Sequence, residues 1–173
     1  MNEKGSDVFN QQFLPLITLY PIAVGNENTV IQMSFHGSNM GGSSATEYNS
    51  IFGKGTSISV PSKTLNTVLH DFTSPIIFAK IDVEGYEPYV IEGASDLLKN
   101  QQIKIIYYEK TCHITKINKD VFSKIDILFK KYNYTTSNSE CRHESDQFNV
   151  LAIASSYITE TQIDINELIN SRY

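Results

Sequence analysis

The first periodic stretch of the chain is Ile17-Thr18-Leu19-Tyr20-Pro21-Ile22-Ala23-Val24, an apolar, β-favouring run that stops at Gly25-Asn26. The alternating Val30-Ile31-Gln32-Met33-Ser34-Phe35 follows, so the pattern predicts two strands joined by a tight turn over Gly25-Asn26-Glu27-Asn28. Pro21 has no amide hydrogen to give to a ladder, which places its neighbours at a strand edge or bulge. From His36 to Thr56 the composition turns to Gly, Ser and Asn, with Gly41-Gly42-Ser43-Ser44 and Gly53-Lys54-Gly55, and predicts a long loop. Ser57-Ile58-Ser59-Val60 reads as a short strand and Leu65-Asn66-Thr67-Val68-Leu69 as one or two helical turns.

The clearest pattern comes next. Ile76-Ile77-Phe78-Ala79-Lys80-Ile81-Asp82 is a nearly continuous apolar run ending in acid, as expected of a strand covered on both faces in a parallel sheet. Pro88 sits where a first helical turn tolerates it, and Tyr89, Val90, Ala94, Leu97 and Leu98 supply apolar positions for two short helical stretches broken near Gly93. A second buried strand, Ile103-Lys104-Ile105-Ile106-Tyr107-Tyr108, also ends in acid at Glu109. Asn118 can cap a helix whose Val121, Ile125, Leu128, Phe129 and Tyr132 form one stripe. A last strand, Phe148 to Ala154, precedes a tail over 155–173 in which Ile163, Ile165, Leu168 and Ile169 suit a small closing helix.

The alternation of strands and helices predicts an α/β fold with a mostly parallel sheet and an inserted hairpin, as a single domain over residues 1–173 with its core at about 17–154. At 173 residues the chain can bury roughly 70% of its unfolded surface, so a real core is available. A hydrophobic fraction of 40% and a charged fraction of 19% are those of an ordinary globular protein. The net charge of −5, with acids and bases interspersed and Lys130-Lys131 as the local basic cluster, offers no field to gather phosphate and argues against nucleic acid as a partner. Two cysteines in a chain of this length fit reduced thiols, the start Met1 to Asp7 lacks the apolar region of a secretory signal, and no run reaches the ~20 apolar residues of a membrane span. These features lead us to expect a cytoplasmic protein.

In open parallel sheets, ligands bind outside the carboxyl ends of the strands, so acids placed there face a crevice. Asp82, Glu84 and Glu109 occupy such ends, and their alternative role is to cap the following helices and complement their positive ends. Cys112-His113 and Cys141-x-His143 hold zinc-type donors, yet the spacing lacks the compact ligand pairs of structural sites, and no metal is expected. His36 and His70 are expected to be solvated, and Tyr86, Tyr107, Tyr108, Tyr132 and Tyr134 to serve packing, since no basic groove accompanies them.

Lys80-Ile81-Asp82-Val83-Glu84-Gly85-Tyr86-Glu87, then Val90-Ile91-Glu92-Gly93-Ala94 and Ile105-Ile106-Tyr107-Tyr108-Glu109, resemble the signature of the FkbM-type methyltransferases, which depend on S-adenosylmethionine. Ile22-Ala23-Val24-Gly25-Asn26 looks like that family's third strand and turn, Gly41-Gly42-Ser43-Ser44 like its Gly/Ser loop, and Asn149-Val150-Leu151-Ala152 like its last strand, so the likeness spans roughly 17 to 154. The resemblance implies a Rossmann-like methyltransferase fold acting on hydroxyls of sugars, lipids or metabolites. It implies Asp82 and Glu84 on the acceptor or sulfonium side, Glu109 on the far wall, and Val24-Gly25-Asn26 at the adenine edge. Such enzymes open with a strand and glycine-bearing turn for the cofactor's amino-acid end and a second strand whose terminal acid binds the ribose. No counterpart precedes Ile17, and one βαβ unit alone takes ~30 residues or more, so the expectation is an N-terminally truncated form. Its alternative function is that of an inactive remnant used for binding or assembly. A truncated sheet also predicts an exposed edge near Ile17 to Val24 and self-association through it.

Overall fold

The computed structural model describes residues 16–36, 39–45, 56–111, 119–137, 143 and 147–166. Among these residues the chain forms two four-stranded sheets and five helices, in the order β1 (Ala23–Val24), β2 (Thr29–His36), β3 (Asn39–Ala45), β4 (Thr56–Lys63), α1 (Leu65–Val68), β5 (Ile76–Ile81), α2 (Glu87–Glu92), α3 (Ser95–Lys99), β6 (Ile103–Thr111), α4 (Lys119–Lys131), β7 (Tyr134–Thr136), β8 (Gln147–Ala154) and α5 (Ser155–Thr161). The first sheet has the order β1-β4-β2-β3 and the second β5-β6-β8-β7.

The α/β class expected from the pattern is present, but the sheets are mixed rather than mostly parallel. Each holds one parallel pair, β1 with β4 and β5 with β6, while β2 with β3, β2 with β4, β6 with β8 and β7 with β8 run antiparallel. The apolar run of β8 reads alike in either direction, since only its neighbours fix its sense. The expected hairpin between the run ending at Val24 and the run from Val30 does not form, because β4 lies between β1 and β2 and pairs with both. The hairpin that does form joins β2 to β3, and β3 occupies Asn39–Ala45 inside the stretch expected to be loop. Gly and Ser lower strand propensity, but a partner strand overrides so weak a preference. Residues 37–38 and 46–55 of that stretch lie outside the described residues, as do Asn118, Cys112, His113, Cys141, Leu168 and Ile169.

Side chains set the layers of the second sheet. Ile81, Ile106, Tyr108, Val150, Ala152 and Ala154 point to one face and are buried there beneath α2, α3 and α4. From α4 the Ile125 and Phe129 positions of the expected stripe reach into this core, where Phe129 packs between Tyr108 and Tyr134 with ring centroids 5.9 and 5.5 Å away. Each such buried aliphatic or aromatic side chain contributes about 1.5–3 kcal/mol, so this core dominates the fold. Tyr134 adds a buried hydrogen bond by donating to the Ile103 carbonyl at 2.5 Å.

Strand β5 is not covered on both faces as its composition suggests. It pairs on one side with β6 at the edge of the described sheet, and Ile77 and Phe78 are 53% and 55% exposed. The apolar run reports β propensity, whereas coverage depends on neighbouring layers that a local window does not contain. A helix not expected from the pattern forms at Ser155–Thr161 and ends at Gln162 in a left-handed conformation, while the expected closing helix over Ile163 to Ile169 is helical at residues 165–166 and beyond 166 lies outside the described residues. Among the described residues no helix is long and apolar enough to cross a membrane.

Candidate functional site

The parallel register pairs Lys80 with Tyr107 and Ile81 with Tyr108. Here β5 stops, while β6 continues to Thr111, so Glu109 lies within its strand opposite Asn149 rather than at the strand end. The same register brings Glu109 level with Asp82 on the face away from the α2 to α4 layer. Asp82 is half-exposed and accepts a 2.8 Å hydrogen bond from Lys80 Nζ on that face. This contact and the charge of Asp82 raise the Lys80 ammonium above its ordinary value, with the Tyr107 and Glu109 side chains adding in the same direction.

The chain leaves β5 through Asp82-Val83-Glu84-Gly85, and Glu84 and Gly85 both adopt left-handed backbone with φ of 53° and 93°. Gly85 occupies that region without steric cost, whereas Glu84 does so against the preference of a residue with a Cβ. Glu84 stays exposed at the crest. Its carboxyl is pushed up by partial desolvation and then by the negative charges of Glu109 and Asp82. The three expected site acids therefore come together electrostatically. Neither Asp82 nor Glu84 caps the following helix, since α2 begins after Tyr86 without any side-chain cap.

Glu87, the first residue of α2, is 1% exposed, and its Oε1 accepts the Val83 amide at 2.9 Å. Burial drives its carboxyl above the ordinary glutamate value. Hydrogen bonds from the Val83, Glu87 and Gly85 amides pull it back, and Glu109 raises it again. In the sequence Glu87 looks like an acid complementing a helix end. Pro88 marks the first turn of the helix in the sequence, but nothing there shows the Glu87 side chain pointing inward.

Val24-Gly25-Asn26 lies at the other end of the same helix. Gly25 is buried, its amide donates to the Lys63 carbonyl at 3.0 Å, and a Cβ there would meet Ser62 Oγ at 3.1 Å and Tyr86 Cε1 at 3.2 Å. The Asn26 amide donates to Glu92 Oε2 at 3.0 Å, and a Cβ on Gly93 would lie 2.0 Å from the Gly25 carbonyl oxygen. Tyr86 bridges the two regions, its ring stacked on Tyr89 at 4.4 Å. Tyr86, Glu92 and Gly93 were not singled out as site-forming by the sequence pattern, where they read as helix and break.

Exposed carboxylates over a strand end suit a cationic or hydroxyl-bearing ligand. The Gly25 amide and the Asn26 side-chain amide are engaged within the protein, by the Lys63 carbonyl and the Glu92 carboxylate. Among the described residues no three His, Cys, Asp or Glu side chains group closely enough to hold a metal ion.

Neither curated proteins nor solved structures include a match to the chain. A family model described as the methyltransferase FkbM domain matches residues 9–136, which takes in both strands of the acidic site, the intervening helices and the Val24 to Asn26 loop, while β8 and α5 lie beyond it. With well over half of its length matched and the acidic strand-turn-helix signature in place, the chain belongs to the FkbM methyltransferase domain family.

Proposed function

We propose that this protein is a S-adenosylmethionine-dependent O-methyltransferase whose acceptor is a hydroxyl of a sugar, lipid or other small metabolite. The family match supports the reaction class, and the convergence of Asp82, Glu84 and Glu109 on one face carries the site. The cofactor, when bound, supplies an electrophilic methyl group on a sulfonium. Transfer requires the acceptor oxygen to be held in line with that methyl, so positioning does much of the work. Asp82 or Glu84 orients the hydroxyl and accepts its proton, and Glu109 forms the far wall. The negative charge of the group also suits a positive sulfonium.

The internal engagement of Gly25 and Asn26 favours a second reading, in which the chain is an inactive remnant that binds or assembles. Isothermal titration with S-adenosylhomocysteine separates the two. Micromolar binding is expected of the enzyme, and no heat on well-folded protein rejects catalysis by this chain alone. Of Asp82→Asn and Glu84→Gln, the one that removes the proton acceptor is expected to keep the fold and lower methyl transfer by about 10²- to 10⁴-fold, the range of general acid–base contributions.

The proposal places the protein in the cytoplasm and extends to a second copy as partner. Leu16, Ile17, Leu19 and Tyr20, exposed by 52–85%, precede the edge strand β1, and an apolar strand edge invites pairing. Light scattering that gives a strictly monomeric mass at high concentration counts against the self-association.

A further inference from the structure

The turn between β5 and α2 presents Asp82 and Glu84 outward, yet its backbone amides point inward. A turn conformation can direct neighbouring backbone N–H groups to one side and form a small anion-binding concavity. Here the anion is supplied by the chain itself. The Glu87 carboxyl is enclosed beneath the turn and is held by the Val83 amide at 2.9 Å, with the Gly85 and Glu87 amides also directed to it.

We propose that Glu87 is a positioning residue, whose buried carboxylate clamps the Val83–Gly85 backbone from inside and so fixes the directions in which Asp82 and Glu84 leave the sheet. The inference rests on the site described under the proposed function, but the clamp itself is a property of the fold. The Tyr86 amide closes the turn by donating to the Val83 carbonyl at 3.2 Å, while on the amide side of the turn Glu87 is what holds Val83, since α2 has no side-chain cap. Without the clamp the turn would be closed by that backbone bond alone, and the directions of both carboxylates would loosen. The titratable groups around Glu87 are Asp82 and Glu84 in the turn, Glu109, Tyr108 and the buried Lys110 on β6, and Asp126 on α4, which lies 3.9 Å from the Lys110 ammonium and acts with Glu87 on Tyr108. Burial is the largest influence on Tyr108, raising its phenol out of the accessible range, so it stays neutral and does not compete.

The test is amide NMR on the full chain. In the unmodified protein, the Val83 and Gly85 amide protons are expected to shift together with the Glu87 side-chain carboxyl carbon during a pH titration, at a midpoint above the ordinary glutamate range. In Glu87→Gln, which preserves shape, those amides are expected to lose this titration. Hydrogen exchange at Val83 should rise on the order of tenfold, the scale set by exchanging a charged acceptor for a neutral amide oxygen. Exchange at Ile106 and Val150 in the core should be unchanged.

The proposal is overturned if Val83 and Gly85 titrate and exchange in Glu87→Gln as before, or if protection is lost equally at Ile106 and Val150, as a simple packing role requires. Should Glu87→Gln fail to fold, the unmodified protein still decides, because amides that do not follow the Glu87 carboxyl overturn the clamp. Calorimetry with S-adenosylhomocysteine keeps the questions apart. Loss of binding in the parent protein rejects the methyltransferase reading, while the NMR result alone accepts or rejects the clamp.

Discussion

Gly93→Ala tests how the Val24 to Asn26 loop is held. Gly93 has φ −68° and ψ −8°, ordinary helical values, so its backbone does not require glycine. At such a position alanine should stabilise by about 0.4–1 kcal/mol through the unfolded chain. The structure predicts the opposite sign. The new Cβ would lie 2.0 Å from the Gly25 carbonyl oxygen and 3.3 Å from Asn26 Cα, and both are backbone atoms that cannot rotate away. Overpacking of this kind costs about 1–3 kcal/mol. Moving the loop also weakens the part-buried Asn26 to Glu92 hydrogen bond, worth about 1 kcal/mol. Setting these against the alanine gain leaves a net loss of roughly 1–3 kcal/mol, or a fall in Tm of about 2–10 °C for a chain of this size. Gly25→Ala is a useful comparison, since its Cβ would meet side-chain atoms of Ser62 and Tyr86 at 3.1 and 3.2 Å, which can give slightly, and its loss should be smaller. Thermal and urea denaturation followed by circular dichroism measure both. A Gly93→Ala protein as stable as the parent, or more so, refutes the close contact and with it the proposed link between loop and helix.

Two further outcomes are expected. Tyr134→Phe removes the phenolic hydrogen bond to the Ile103 carbonyl while leaving the ring packed on Phe129, and urea denaturation should show a loss of about 0.5–1.5 kcal/mol. Glu84 and Glu87 both have carboxyls raised above 4.5 in the folded protein, so their contribution to stability is full below that pH and is lost as pH rises through the raised values. The urea midpoint should therefore fall less steeply across that window in Glu87→Gln than in the parent.

Local pattern revealed what local chemistry determines. The strands at Ile76–Ile81 and Ile103–Thr111, the helix break at Gly93 and the Ile125/Phe129 stripe all follow from periodicity and breakers. Strand direction and order did not, because an apolar run such as Phe148 to Ala154 satisfies a parallel or an antiparallel partner equally. Nor did β3, whose Gly-Ser composition predicts loop in isolation and becomes strand through its pairing with β2. For the site, the acids Asp82, Glu84 and Glu109 were visible as strand-end residues, and register then decided which share a face. Glu87 was hidden, because its function depends on pointing inward and a sequence shows an acid without its direction. The close contact of Gly25 with Gly93 joins residues distant in the chain, a relation no short window contains.

The charge balance of the acidic face leads to one more consequence. Asp82 is paired with Lys80, but Glu84 and Glu109 add negative charge, and their mutual repulsion contributes to the raised Glu84 carboxyl. A cation placed over the face relieves that repulsion and lowers the Glu84 carboxyl. By linkage, ionisation of Glu84 must strengthen binding of the cation to the same extent. S-adenosylmethionine carries a positive sulfur and S-adenosylhomocysteine a neutral one on otherwise matching frames, so their affinity ratio isolates this interaction from contacts common to both. If the acids face the sulfonium, the ratio should shift toward S-adenosylmethionine by a few-fold as pH rises from about 5 to about 8, across the carboxylate titration. The shift should shrink in added salt, because charges this exposed are screened beyond about 8 Å at physiological ionic strength. Parallel calorimetric titrations at each pH give the ratio directly. A ratio independent of pH, with both ligands bound, would place the sulfonium away from Asp82, Glu84 and Glu109 and leave those carboxylates to the acceptor alone.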